Sequence, residues 1–183
     1  GLIPLAGPAN RQGRIVADNI AGLDSVYKQT QGSSAVKVFD LTVSGTGNNE
    51  KQLKQKGISY LKSYIYARSH AGYYPDSDMI LFKLLFDKEG NILGAAAVGE
   101  SGVEKRIDVI ATIIRNHGTI YDMRDAELCY APPYSSAKDP VNIMGMNAEN
   151  IIMGLMKPAY MEDLEDAFIV DVRPEIAFKL GSI

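Results

Sequence analysis

The side chains best suited to chemistry in this sequence are phenols. Ten tyrosines occur and no tryptophan. Four of the tyrosines stand close to prolines: Tyr73 and Tyr74 before Pro75, and Tyr130 and Tyr134 around Pro132-Pro133. Proline fixes φ and lowers the entropy of presenting a nearby side chain, so these phenols are rigidly held. A rigid phenol can pack in a core, anchor an interface, or donate a hydrogen bond to a reacting sulfur or a flavin. Residue types alone leave those three uses open. Lys138, one turn ahead of a long helical pattern, adds a cation beside a helix N-terminus, itself an anion site.

Other chemical devices are sparse. His70 and His117 have no partner at metal-ligand spacing and are expected at the surface, and no metal site is read. Cys129 permits no intrachain disulfide; between Leu128 and Tyr130 it is expected to be a small buried hydrophobe. No Gly-rich phosphate loop is present, since "VSGTGNNE" is too short and too polar. The acidic residues are scattered, with no acid/base pair. A net charge of −3 gives no reason to expect a nucleic-acid partner. The longest apolar run, 92–99, falls far short of the ~20 residues that span a bilayer. With one cysteine and no secretory signal, the expected setting is cytoplasmic. The first residue is Gly1, in an apolar loop-like stretch, which suggests a piece of something longer.

The elements that would position these groups follow from periodicity. "GPANRQGRIVADNIAG" reads as a helix with Pro8 at its start, a stripe of Ile15, Val16 and Ile20, and Gly22 after its end. Gly13 costs it about 1 kcal/mol relative to Ala, and Arg11 and Arg14 oppose the macrodipole. Either they mark close packing and an anion near the helix start, or they are a helix crossing and two solvated cations. Leu23 to Ser34 reads as a linker. "VKVFDLTVSG" reads as one strand, and "NEKQLKQKG" as a short helix stopped by Gly57. "SYLKSYIYARS", "MILFKLLFD" and "NILGAAAVG" read as strands, the last two a hairpin. Ile80 to Phe86 is apolar on both faces, so its strand must be central or covered.

Two helices follow. The first carries Val103, Ile107, Ile110 and Ile114 at helical spacing and ends at Gly118. The second has Asp139 as N-cap, Pro140 at its first position and Pro158 as stop, with a stripe of Val141, Met144, Ala148, Ile151 and Leu155. Its further apolar residues leave open whether it packs on one core only or is buried again by a partner. After it, Phe168 to Val172 reads as a short buried strand.

Taken together, "IPLAGPANRQGRIVADNIAG", "YAPPYSSAKDPVN" and "KRIDVIATII" resemble the C-terminal part of FAD-dependent pyridine nucleotide-disulfide oxidoreductases. The nearest branch is the single-cysteine one, coenzyme A-disulfide reductase, NADH oxidase and persulfide reductases. "FIVDVRPEIAFKLGSI" resembles the opening of a rhodanese domain. The resemblance implies an α+β fold, an antiparallel sheet with helices on one side. It implies residues 1–22 as the end of an FAD-binding domain, 36–157 as a dimerisation domain and 161–183 as a truncated rhodanese-like start. It implies a homodimer, FAD and NAD(P)H as cofactors, and a coenzyme A-type disulfide or persulfide as substrate, with an NADH oxidase or peroxidase, or a non-catalytic homodimeric interaction module, as alternatives. Tyr130 matches a tyrosine that lies by the partner's flavin and cysteine, completing the partner's active site, and of the adjacent pair Tyr74 matches a second such tyrosine. Leu5 and Ala6 would offer backbone N–H groups to the flavin, and Asn10 and Lys138 would contact substrate. The family's nucleophilic cysteine belongs to the FAD-binding domain, so the chain alone is expected to be inactive.

Overall fold

In the computed structural model, residues 3–164, 168 and 170–181 are described. Helix α1 spans Ala6–Ile20, with Leu5 as N-cap and Gly22 in the left-handed conformation after its end. Pro8 occupies the third helical position instead of the first, where its missing N–H still costs no hydrogen bond. Pro8 is also the buried residue of α1: Val16 and Ile20 are exposed, and nothing in this chain lies within 4 Å of a Cβ built on Gly13. Val16 and Ile20 of the stripe therefore meet no cover among the described residues, whereas Ile15 is half-buried. Arg14 pairs with Asp18 at 2.7 Å.

Five strands follow, β1 (Ser34–Val38), β2 (Leu41–Gly47), β3 (Leu61–Arg68), β4 (Met79–Phe86) and β5 (Ile92–Gly99), with helix α2 (Glu50–Gln55) between β2 and β3. They form one antiparallel sheet in the order β1-β2-β5-β4-β3. The stretch expected as a single strand folds back on itself: Phe39 takes a positive φ and Val38 pairs with Leu41, closing a hairpin. The doubly apolar β4 lies inside the sheet, as its composition requires.

Helices α3 (Val103–Arg115), α4 (Ile120–Asp125) and α5 (Pro140–Ile152) complete the domain. Helix α3 lies over β2 and β5, α5 over β3 and β4, and α4 against α5. Between these layers sit Ile80, Phe82 and Leu84 of β4 with Ile107, Ile110, Met144 and Ala148. This is the expected α+β fold with helices on one face. The other face carries a row of cross-strand partners running Val36, Val43, Val98, Leu81 and Tyr66. Its two ends are open, with Val36 and Tyr66 exposed.

Helix ends differ from expectation in instructive ways. At the end of α3 it is His117, not Gly118, that takes the left-handed conformation, while the Gly118 and His117 N–H groups bond back to Ile113 and Ile114. That pattern satisfies the last carbonyls of the helix. Helix α5 begins as read, with the Asp139 side chain accepting from Val141. It stops at Ile152, with Gly154 at positive φ, well before Pro158; Leu155 is consequently exposed.

Past α5, Tyr160 lies against β3, donating to the Lys62 carbonyl at 2.6 Å beneath the Lys62 ammonium, which Glu162 also engages. A 3-10 turn (Met161–Asp163) and helix α6 (Glu175–Lys179) follow. The expected strand at Phe168 to Val172 includes Ile169, which lies outside the described residues. Phe168, Val170 and Val172 are exposed, and none of the three lies in a strand.

Candidate functional site

The two tyrosine stretches are loops, and the fold brings them together. Residues 69–78 connect β3 to β4, and residues 126–139 connect α4 to α5. The Ala71 N–H donates to both Pro132 O (3.3 Å) and Ser135 O (3.1 Å), lacing one loop to the other. In the second loop, the Tyr134 and Ser135 N–H groups turn back to Ala131 O. Tyr130 stands half exposed at the edge of this junction.

Its neighbour is Tyr73, the two phenol oxygens lying 3.5 Å apart. Tyr74, the expected member of the adjacent pair, turns the other way and meets the His70 ring edge-on at 5.9 Å. The turn that decides this is closed by the Tyr74 N–H donating to Ala71 O. His70 is half-buried and not a loose surface residue: its ring nitrogens reach Ser69 Oγ at 3.1 Å and Pro75 O at 2.9 Å, closing the loop. The hydrogen bond with Tyr73 holds the Tyr130 phenol above the ordinary tyrosine value, and loss of water contact acts in the same direction. Tyr130 therefore keeps its proton at neutral pH, and the pair is a donor.

Beneath the loops lies a charged centre that sequence reasoning missed. Arg106 of α3 and Asp139 are both almost fully buried and paired at 3.1 Å. Ser135 Oγ donates to the same carboxylate oxygen at 2.5 Å, and no buried side-chain polar atom among the described residues lacks a partner. A signal for Arg106 existed: it falls three residues after Val103 and four before Ile110, on the buried stripe of α3.

Lys138 is exposed at the end of the second loop and lines a shallow cavity of about 430 Å³ with Glu127, Ser136 and Asn142. Asp125, on the same cavity wall, is bonded to Arg124 at 2.6 Å, which pulls its carboxyl below the usual value. Cys129 is exposed, against expectation, because residues 126–131 run over the surface without regular structure.

The residues expected near a flavin lie elsewhere. Leu5 and Ala6 line a cavity of about 1150 Å³ with Gly47, Asn48, Ile92 and Leu93. The Leu5 N–H is already used, donating to Ile3 O at 2.9 Å. The first-turn amides of α1 are then those of Ala6 and Gly7, since Pro8 has none. Asn10 spends its amide on Ala6 O at 3.0 Å, and shares neither hydrogen bond nor cavity with Lys138.

The two groups sit at opposite ends of the sheet. Gly47 ends β2 and Ile92 begins β5, whereas the tyrosine loop joins Arg68 to Met79 beside the Gly99 end of β5. Eight strand residues separate those ends, roughly 25 Å. Among the described residues, no cluster of His, Cys, Asp and Glu could hold a metal, and no helix is long and apolar enough to cross a membrane.

Known proteins share this arrangement. Residues 33–140 match the dimerisation domain of the pyridine nucleotide-disulphide oxidoreductases. Coenzyme A disulfide reductase of Staphylococcus epidermidis is 36% identical over 149 residues, 80% of this chain and 34% of that protein. The crystal structure of reduced Bacillus anthracis CoADR-RHD matches with a TM-score of 0.94 and 50% identity, over 100% of this chain and 34% of that one. The NAD-dependent persulfide reductase from A. fulgidus matches with a TM-score of 0.88 and 35% identity, over 91% of this chain and 31% of that one. The chain thus spans about a third of the length of these relatives. With more than half of its residues matching that domain, the chain belongs to the pyridine nucleotide-disulphide oxidoreductases.

Proposed function

We propose that this chain supplies the dimer interface and part of the active site of a homodimeric, FAD-dependent NAD(P)H:disulfide reductase acting on coenzyme A disulfide or a persulfide. Residues 1–22 close the FAD-binding domain, 36–157 form the dimerisation domain, and 161–183 open a rhodanese-like domain. The observation that carries this reading is the separation of two half-sites. The α1 start and the paired phenols stand at opposite ends of one sheet, so each is completed by a second copy.

The α1 start suits the electron-rich edge of a flavin ring. It offers the amides of Ala6 and Gly7, the positive end of a 15-residue helix, and an adjoining cavity of about 1150 Å³. Bound there, FAD would carry the electrons of NAD(P)H towards sulfur.

Breaking an S–S bond with two electrons gives two thiolates, each needing a proton at neutral pH. Tyr130, held in its protonated form by Tyr73, donates to the departing sulfur, and Tyr73 keeps that phenol aimed. Lys138, beside the first turn of α5, attracts an anionic part of the substrate, and Asn10 contacts it from the partner's α1.

The test is Tyr130→Phe in the full-length flavoenzyme. Disulfide reduction should slow by ~10²-fold, the scale of a lost general acid, while flavin reduction by NAD(P)H keeps its rate. An unchanged disulfide step would remove the phenol from the mechanism. Rapid reoxidation by dioxygen or peroxide in preference to a disulfide would assign the oxidase chemistry instead.

A further inference from the structure

We propose that Arg106 is a positioning residue for the paired phenols, holding Tyr73 and Tyr130 in register from beneath; the inference rests on the disulfide-reductase reading above. Arg106 touches neither phenol. Its guanidinium, 2% exposed, instead ties the backbones that carry them. Nη2 donates to Ser69 O at 2.6 Å, at the root of the Tyr73 loop, and reaches Tyr134 O at 3.4 Å in the Tyr130 loop. Nε and Nη2 donate to Asp139 Oδ2 at 3.2 and 3.1 Å, and Nη1 to Gly102 O at 2.9 Å. Through Ser135, whose hydroxyl also lies 3.4 Å from Nη2, the same carboxylate holds the Tyr130 loop a second time.

Stability alone does not account for this group. A buried ion pair loses about as much in desolvation as it gains in attraction, and apolar residues often serve the fold as well. What the planar fork supplies is direction, several N–H bonds at fixed angles to acceptors on different segments. The phenol pair above it needs such control, since the phenol oxygens meet at 3.5 Å, the far limit of a hydrogen bond. Neither loop has a strand or helix of its own to set that distance. The space for the guanidinium is also specific: Gly102 has φ +69, and a Cβ there would stand 2.1 Å from Nη1.

A double-mutant cycle in the full-length flavoenzyme tests the inference. Arg106→Lys keeps the charge against Asp139 but cannot span both loops. It should leave flavin reduction by NAD(P)H at the normal rate and slow disulfide reduction by ~10-fold or more, the scale of a misplaced catalytic group. Residues acting as a unit are non-additive, so adding Arg106→Lys to Tyr130→Phe should slow the step by no more than about twofold further. A lysine variant with a normal disulfide step, or effects that multiply in full, overturns the role of Arg106 while leaving that of Tyr130 standing. A Tyr130→Phe enzyme as fast as wild type overturns both. If Arg106→Lys loses its flavin or its dimer, Ser135→Ala decides: the same non-additive loss, about threefold in size, supports the inference and a normal disulfide step overturns it.

Discussion

At the scale of single residues, the phenol pair makes a prediction about pH. The raised Tyr130 value means that its donor form persists through neutral pH and is lost only as pH climbs past the ordinary tyrosine value of about 10. Disulfide reduction by the full-length enzyme should therefore have an alkaline limb above that value. Tyr73→Phe, by removing the hydrogen bond that lifts it, should bring the limb down, as a pH–rate profile would show; an unmoved limb would mean that Tyr73 does not tune Tyr130. Tyr130 and Lys138 could be proposed from the sequence because proline context and motif mark them. Which of Tyr73 and Tyr74 meets Tyr130 could not be read there, because it turns on one backbone bond to Ala71 and on the His70 ring. Arg106 was within reach by helical spacing, but its partner Asp139 is 33 residues away and already had a reading as an N-cap.

At the scale of elements, the close contact between α4 and α5 yields a stability prediction. A Cβ on Gly145 would lie 2.4 Å from the Arg124 nitrogen and 2.7 Å from Ile120 O, both backbone atoms that cannot step aside. Gly145→Ala should therefore destabilise the protein by about 1–3 kcal/mol, as overpacking does. Because α5 leads directly out of the Tyr130 loop, the variant should also weaken flavin-linked disulfide turnover; thermal melts matching wild type would disprove the close approach. The strands β3, β4 and β5, and helices α3 and α5, were readable because each carries a clear period or a cap. Helix α4 was not, since six residues give no period, and the β1–β2 hairpin was hidden because Phe39 is not a residue that advertises a positive φ. The ends of α3 and α5 shifted because His117 and Gly154, instead of the residues farther on, took the left-handed turn.

At the scale of the whole molecule, the half-sites at the two ends of the sheet call for an experiment in trans. Ala6→Pro removes one first-turn amide of α1 at a position where proline is tolerated. Pairing an Ala6→Pro subunit with a Tyr73→Phe/Tyr130→Phe subunit should yield one intact site per dimer, and hence about half of wild-type activity. If each subunit completed its own site, both would carry a lesion and the mixed dimer would be as poor as its parents. The sheet and its helical cover were legible in the sequence, but the opposition of the two half-sites was not, because it depends on register and strand order. That separation has a further consequence for the enzyme in dilute solution. A lone subunit, fully folded and carrying its flavin, would have nothing opposite its redox centre to protonate the departing sulfur. Turnover would then fade on dilution through the Kd of self-association, with a quadratic dependence on protein concentration well below it, while flavin colour stayed as it was.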